Sequence, residues 1–420
     1  MKSFAGIVAK VAVIATLLAS AVGAVAQPKD LEKISAAEKK QTLERLEFLL
    51  TRAAFVPGVD FKKWPDMVTT HQSAIDQAET VGDFTRTVNQ VMESYGFSHI
   101  VLFSPEQGAS RETQSRAGIG IRIEIEPDGL RVVNIFPGSP ASEIGLQPGD
   151  LVFECDGHPV KGVADLAGSE GQKSTIKYKR ENRVVTVDVT RRKYSTVLPE
   201  SLTWQGDTAI LTVPSFDAGY NRDRVEELMA EIDKRAKAVV LDLRGNGGGR
   251  VINLQHLASF FLDKDSQPLG TFVGRQEVAN YSRRFGPSVD PVQIAEKTDS
   301  KVRATRNSKG ILLKVPVSCL IDGGSGSASE MMAGALRDNL GAKLYGRKSA
   351  GAVLASMIVP MGDDLGFWLQ FPVTDYVTIK GLRIEGHPLV PDKEFPIAKF
   401  GEPDGALQAA VANTIKTSRM

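Results

Sequence analysis

The sequence has few cysteines, almost no excess charge and no long apolar run beyond its first residues. Cys155 and Cys319 give no disulfide framework, and both lie in apolar, strand-like stretches that predict buried free thiols. The formal net charge of +1 disfavours a nucleic-acid partner attracted by bulk charge. No His, Cys or carboxylate pair shows metal-ligand spacing, so neither a metal nor another cofactor is expected.

The N-terminus has the pattern of a cleaved signal peptide. Residues 1–26 contain two lysines and an apolar stretch, and they end in the small residues Ala24-Val25-Ala26. The apolar stretch is too short to span a bilayer, so stable membrane insertion is not expected. We therefore predict an exported protein, periplasmic or secreted.

The remaining chain divides into three regions of different character. A length of 420 residues predicts more than one hydrophobic core. Residues 27–112 have helical periodicity, and residues 113–194 contain short β-rich runs separated by turns. Residues 195–420 alternate strand and helix patterns, which is typical of an α/β core. The expected fold class is therefore a multidomain α+β or α/β protein.

Three local predictions can be checked against the structure. Ser35 is placed to cap a long helix, and residues 80–95 form a second amphipathic segment. The apolar run of residues 97–103, which contains one serine and one histidine, predicts a strand. The polar segment of residues 263–309 lacks clear periodicity and is expected to contain a mobile surface loop.

A serine-containing turn follows the apolar run Val315–Ile321. Its residues, Asp322 to Glu330, open a helical pattern that continues to Leu340. This order places a hydroxyl group at a helix N-terminus, where outward backbone N–H groups can stabilise an oxyanion. The alternative is an ordinary serine cap of a helix.

A second glycine-rich turn, Arg244–Gly249, also follows a buried strand pattern and precedes a helix. It lacks the Gly-Lys-Ser/Thr ending of a phosphate-binding loop, so nucleotide binding is a poor interpretation. Backbone bare of side chains can approach a substrate oxygen closely. If the two preceding strands are neighbours, Gly248 or Gly249 and Ala328 could donate N–H groups to one oxyanion.

The β-rich region resembles a PDZ domain. The resemblance rests on three segments in order: Gly118-Ile119-Gly120-Ile121, Gly138-Ser139-Pro140-Ala141 and Pro148-Gly149-Asp150. It implies that Ile119, Gly120 and Ile121 form the loop that holds a chain terminus while the peptide adds a strand to the sheet edge. The alternative is a module that only packs against the rest of the protein.

Together, the two turns and the PDZ-like region resemble the C-terminal processing (tail-specific) peptidase family over roughly residues 80–395. The match to the family motif implies Ser327, three residues before Glu330, as the nucleophile. Ser325 and Ser329 are then structural. The resemblance also implies a polypeptide substrate.

The sequence departs from the best-known branch of this family, in which a lysine is the general base. Ala352 stands at the position of that lysine, and Lys348 lies four residues earlier. Because four extended residues span roughly 13 Å, Lys348 could serve only if the loop folded back. A serine hydroxyl is a weak nucleophile without a nearby base.

Another branch, similar to the tricorn protease core and to a chlamydial secreted protease, uses a histidine base. The resemblance to that branch implies His99 as base, Glu385 as the orienting carboxylate and Ser98 as the link between them. His99 could instead be a buried core histidine, and Glu385 a turn carboxylate paired with Arg383. His387 is a competing base.

The resemblance further implies that Phe367–Pro372 and Thr374–Thr378 form a strand pair beside the peptide-binding groove. The predicted function is that of a secreted serine endopeptidase, which cleaves unfolded or tail-exposed proteins through an acyl-enzyme. Two alternatives remain: a catalytically inactive pseudoprotease that binds peptides or apolar ligands, and a scaffold led by the PDZ-like module. The sequence leaves homo-oligomerisation open.

Overall fold

The computed structural model describes residues 29–166, 168–362, 366–396, 398 and 402–417. The predicted signal peptide lies outside these residues. Within the described ranges, no helix combines the length and the apolar character needed to cross a membrane.

Helices dominate the N-terminal region. They are α1 (Ala36–Arg52), α2 (Trp64–Thr70), α3 (Gln72–Gln77), α4 (Val81–Glu93) and α5 (Pro105–Thr113), with the short strand β1 (Val101–Phe103) before α5. Ser35 caps α1, because its hydroxyl accepts the Glu38 N–H while the Glu38 carboxylate accepts the Ser35 N–H. The predicted cap is therefore confirmed.

The prediction of a strand over residues 97–103 is wrong for its first half, since the strand begins at Val101. His99 has a φ of +60°, a left-handed conformation outside the β region. The chain bends here because the preceding residue, Ser98, is bound by the carboxylate of Glu385. His99 therefore lies outside the strand, two residues before its first residue.

The PDZ-like region is a β-rich body with its own core. Its elements are β2 (Ser115–Gly118), β3 (Ile121–Glu126), β4 (Gly129–Ile135), α6 (Pro140–Glu143), β5 (Leu151–Cys155), β6 (His158–Pro159), β7 (Lys173–Arg180), β8 (Arg183–Thr190) and β9 (Arg192–Ser195). Strands β3, β4, β5, β7 and β8 form one sheet in that order, so β3 is an edge strand. Strands β2 and β9 pair as a separate ribbon.

The remaining region alternates strands and helices, as predicted. Its elements are β10 (Ser201–Gln205), β11 (Thr208–Thr212), α7 (Arg222–Arg235), β12 (Ala238–Asp242), α8 (Val251–Ala258), β13 (Gly270–Val273), α9 (Arg275–Phe285), α10 (Pro291–Lys297), β14 (Lys301–Val302), β15 (Val317–Ile321), α11 (Ala328–Leu340), β16 (Lys343–Gly346), β17 (Ala355–Pro360), β18 (Trp368–Thr378), β19 (Lys393–Glu394) and α12 (Gly405–Thr417).

The central sheet of this region has the order β10-β11-β12-β15-β16-β19, and its strands are parallel from β11 onward. Successive strand residues point to opposite faces. On β12, Leu241 packs towards α8 and α11, whereas Val240 packs on α12. Helices therefore cover both faces of the sheet, which explains its continuous apolar strands.

Cys319 and Cys155 are both buried and free, as predicted. Cys319 lies within β15, where burial raises its pKa to about 12.

A second sheet joins the N-terminal helices to the core. Strand β18 pairs with β1, β13 and β17, all antiparallel. The predicted pair of strands at residues 367–378 is instead this one long strand, which continues through Pro372. Apolar side chains of β18, Leu369 and Phe371, complete the core of the N-terminal helices.

The sequence predicts a mobile surface loop within residues 263–309 and assigns no helix or strand there. The segment contains β13, α9, α10 and β14. Helix α9 fully buries none of its residues, but Val278 and Tyr281, three positions apart, are partly buried against β13, α10 and β18, and this spacing was the available signal.

Candidate active site

The two glycine-rich turns meet at one edge of the central sheet, because β12 and β15 are adjacent parallel strands. Asp322 Oδ1 accepts the Gly245 N–H at 2.9 Å, and the Asn246 carbonyl accepts the Gly326 N–H at 3.0 Å. A Cβ added to Gly324 would lie 2.9 Å from Gly245 Cα. Glycine is needed there because the two backbones pass in contact.

The structure distinguishes the three serines of the second turn. Ser325 and Ser329 are fully buried, and their hydroxyls donate to the carbonyls of Leu243 and Asn246, both at 2.8 Å. Both therefore hold the two turns together. Ser327 lines a deep cavity and has a φ of +53°. Such a strained conformation, just before a helix, is characteristic of exposed nucleophiles.

Glu330 is a buried carboxylate that ties the Ser327 turn to the loop after β16. Its Oε2 accepts the N–H groups of Ser327 at 3.1 Å and Ala352 at 3.0 Å. Its Oε1 accepts the Gly351 N–H at 2.7 Å and the Ser349 hydroxyl. Burial raises the pKa of Glu330, while these four donors lower it. The spacing Ser-x-x-Glu could have revealed this residue in the sequence.

Of the two glycines considered as oxyanion donors, Gly249 is better placed. The Gly248 N–H already donates to the Asn246 side-chain oxygen at 2.9 Å. Gly249 lines the cavity and forms a parallel β-bridge with Phe216. The two hydrogen bonds of this bridge are made by the Gly248 carbonyl and the Arg250 N–H, so the Gly249 N–H points elsewhere. In the described structure, no acceptor is bound to the N–H of Gly249 or Ala328.

Ala352 lies beside Ser327, since its carbonyl accepts the Ser327 N–H at 2.9 Å. It also lines the cavity. The position where the family's lysine would stand is therefore next to the serine, but its side chain is a methyl group. Lys348 is exposed and does not line the cavity.

Ser98, His99 and Glu385 form a hydrogen-bonded chain, as predicted. Glu385 Oε1 accepts the Ser98 N–H at 2.6 Å, and Oε2 accepts the Ser98 hydroxyl at 2.8 Å. Ser98 Oγ lies 2.6 Å from His99 Nδ1. Oε2 also accepts the Val353 N–H at 2.8 Å, which links the chain to the loop that carries Ala352.

The available donors decide which way each hydrogen bond of the Glu385–Ser98–His99 chain runs. An ionised carboxylate only accepts, so the single hydroxyl proton of Ser98 points to Glu385. Ser98 Oγ must then accept the proton on His99 Nδ1. This arrangement leaves the lone pair of His99 on Nε2, the nitrogen that a general base needs to have free.

His99 and Ser327 line the same cavity, which has a volume of about 760 Å³. No hydrogen bond joins their side chains in the described part of the chain; such bonds often tighten only when substrate binds. Burial lowers the pKa of His99, the charge of Glu385 raises it, and the charge of Arg111 lowers it. The net lowering favours a neutral imidazole at neutral pH.

Sequence and fold comparisons agree with this geometry. Residues 207–395 match peptidase family S41, and residues 117–190 match the PDZ domain. These two matched ranges are called the S41 domain and the PDZ domain below, after the families that they match. A probable CtpA-like serine protease of Staphylococcus saprophyticus is 25% identical over 285 residues, covering 66% of this chain and 52% of that protein. The chain thus spans about half the length of the curated relatives it matches.

Two solved structures share the fold. The photosystem II D1 C-terminal processing protease has a TM-score of 0.51 and 20% identity, covering 86% of this chain and 94% of that chain. The tricorn protease also has a TM-score of 0.51, with 14% identity over 91% of this chain and 37% of that chain. The fold therefore does not distinguish the lysine-base branch from the histidine-base branch. The sequence and fold matches together support a serine-type peptidase.

Of the predicted terminus-binding loop, only Ile121 lines a crevice between the PDZ domain and the S41 domain, whereas Ile119 packs in the core of the PDZ domain. Gly120 has a φ of +84°, and its carbonyl accepts the Phe136 N–H, which shapes the loop between Ile119 and Ile121. Ile121 begins the edge strand β3, which has a free side for another strand. It also lines the crevice, next to Pro214 of the S41 domain.

Other residues near the site have different positions from those the sequence alone suggested. His387, the competing base, does not line the cavity; its Nδ1 lies 3.1 Å from the Glu385 carbonyl oxygen. Asn246 was not recognised in the sequence, although it binds both turns and is fully buried. The sequence feature that could have indicated this role is a large amide side chain within a run of glycines.

Proposed function

We propose that this chain is an exported serine endopeptidase in which Ser327 is the nucleophile and His99 the general base. The observation that carries the proposal is the Glu385–Ser98–His99 chain beside the cavity of Ser327. It leaves His99 Nε2 free to take a proton, and it supplies a negative charge to the imidazolium that results. Ala352 offers no competing base.

In the proposed reaction, the Ser327 hydroxyl gives its proton to His99 Nε2 while Oγ forms a bond to the scissile carbonyl carbon. The N–H groups of Gly249 and Ala328 stabilise the resulting oxyanion. His99 then protonates the leaving amine, and the C–N bond breaks to leave an acyl-enzyme. A water molecule, deprotonated by His99, hydrolyses the ester and restores the serine.

The substrate would be an unfolded or tail-exposed polypeptide. Strand β17 pairs only with β18 among the described strands, and its residues Ala355, Ser356 and Ile358 line the cavity. An extended peptide could add to this free edge. The PDZ loop would hold the C-terminus of such a chain. We further propose a periplasmic or secreted location, supported by the signal-peptide pattern.

Labelling with a fluorophosphonate tests the nucleophile and the base together. Wild-type protein should be modified at Ser327, whereas Ser327→Ala should not react. His99→Ala should react far more slowly and should not hydrolyse an unfolded protein. Full activity of His99→Ala would contradict the assigned base. A wild-type protein that neither reacts nor cleaves would instead be a peptide-binding pseudoprotease, the alternative that Ala352 favours.

A further inference from the structure

The cavity of Ser327 is also lined by four charged side chains that the proposed reaction does not use. Arg111 and Glu112 come from the last turns of α5, Asp217 follows β11, and Arg250 precedes α8. These groups lie on elements of both the N-terminal region and the S41 domain. Any peptide that enters the cavity therefore meets charges from both.

Two guanidinium groups share the carboxylate of Asp217, and neither is bound closely. Arg111 Nη2 lies 3.4 Å from Asp217 Oδ2, and Arg250 Nε lies 3.7 Å from Oδ1. Charge-assisted hydrogen bonds are usually about 2.7–2.9 Å long. The pair Arg383–Asp375, at 2.7 Å, shows the close arrangement elsewhere in this protein. Most guanidinium donors at the cavity are thus available to another acceptor.

These ion pairs would cost little to exchange. The side chains of Arg111 and Arg250 are 42% and 62% exposed, and ion pairs this exposed contribute little to stability. Asp217 is held by its backbone, because its N–H donates to Ser215 Oγ and its carbonyl accepts from Asn253. The Asp217 backbone is thus held in place, and its carboxylate lies between two exposed cations beside the site.

We propose that Arg111 and Arg250 form a carboxylate-binding subsite of the catalytic cavity. A planar guanidinium group matches both oxygens of a carboxylate. The favoured substrates would carry a carboxylate near the cleaved bond, from an Asp or Glu side chain or from the chain's own C-terminus. This inference rests on the proposed function, because it concerns the specificity of the same cavity.

Glu112 is the second negative charge at the cavity, besides Asp217. It follows Arg111 on α5, but consecutive helical side chains point about 100° apart. Glu112 is exposed and forms no ion pair within the described part of the chain. Glu112→Gln is therefore the matched variant: it changes a cavity charge without removing either guanidinium group.

A binding experiment tests the subsite without requiring catalysis. Ser327→Ala protein is titrated with fluorescent peptides of one sequence in two pairs: internal Glu against Gln, each amidated, and C-terminal acid against amide. We expect about threefold to tenfold tighter binding of the carboxylate member of at least one pair. Adding Arg111→Gln and Arg250→Gln should reduce that ratio to about one, whereas Glu112→Gln should retain it.

The outcomes separate the carboxylate sources and the competing sites. A ratio that persists for the C-terminal pair in the double-arginine variant would belong to the PDZ loop and would overturn the subsite for that source. Equal binding within both pairs would overturn the proposal entirely. Failure of fluorophosphonate labelling would refute the nucleophile but would leave this binding result interpretable.

Kinetics provides the second measurement. In protein with an intact Ser327, the preference for the carboxylate peptide should appear mainly in KM and should disappear with the two arginines. Arg86→Gln, an exposed arginine on α4 outside the cavity, should leave the preference unchanged. An undiminished preference in the double-arginine variant would again refute the subsite.

Discussion

Glu385→Gln tests the proposed relay most sharply, because it changes charge and hydrogen bonding while keeping the shape. One carboxylate oxygen accepts the Ser98 N–H, and the other accepts the Ser98 hydroxyl and the Val353 N–H. Glutamine has one acceptor oxygen and one NH₂ group, so it cannot accept from all three donors. We expect the glutamine oxygen to accept from the Ser98 hydroxyl and the Val353 N–H. The Ser98 N–H then faces the NH₂ group of the glutamine.

The expected loss of rate follows from the charge that disappears. Hydrogen bonds to charged groups contribute about 1.5–3 kcal/mol, which corresponds to about 10- to 150-fold in kcat if the interaction strengthens in the transition state. It should strengthen, because His99 then carries a positive charge. The Ser98 hydroxyl still finds an acceptor, so the tautomer of His99 survives. The loss should therefore be smaller than that caused by His99→Ala.

The pH dependence gives an independent measurement. The charge of Glu385 raises the pKa of His99, against the larger lowering by burial and a smaller lowering by Arg111. Neutralising residue 385 removes the raising effect, so the imidazole should lose its proton at lower pH. Because His99 must be neutral to act as a base, the acidic limb of kcat/KM should move to lower pH.

Initial rates on a quenched fluorescent peptide, measured from acidic to neutral pH, check both expectations. Glu394→Gln, an exposed change on β19, is the control and should behave as wild type. A Glu385→Gln enzyme with wild-type kcat, or with an acidic limb at higher pH, would refute the reasoning. Wild-type thermal unfolding of the variant would show that the loss does not arise from misfolding.

Two further substitutions test the turns around Ser327. Gly248→Ala should reduce kcat by at least about 100-fold, because the new Cβ would lie 2.6 Å from Ser327 Cβ. The control is Gly138→Ala, which is also at positive φ but in open space and should keep its activity. Comparable losses in the two variants would contradict the steric argument. Glu330→Gln should lower the free energy of unfolding by about 2–4 kcal/mol, measured with denaturant, since an amide cannot accept from the donors on both sides. A Glu330→Gln protein as stable as Glu394→Gln would show that these bonds contribute little.

The sequence determined the regions and the candidate residues of this protein. Apolar periodicity indicated the helical N-terminal part, and the order of turns indicated the PDZ and S41 domains. Short-range rules, such as the Ser35 cap, succeeded because they depend on neighbouring residues alone. The segment of residues 263–309 was not assigned, since the short apolar spacing of its helix α9 stands among polar and charged residues.

Only the tertiary structure decided how the candidate residues are arranged. Ser98 and Glu385 are 287 positions apart in the chain, and their 2.6–2.8 Å contacts depend on the packing of β1 against β18. The same contacts bend the chain at His99, against the strand that its apolar neighbours favour. Contacts with Val213 and Phe216, more than 30 positions away, likewise hold the Asn246 amide that engages the Gly248 N–H and leave the Gly249 N–H available. Long-range hydrogen bonds set these details, and no local pattern in the sequence encodes them.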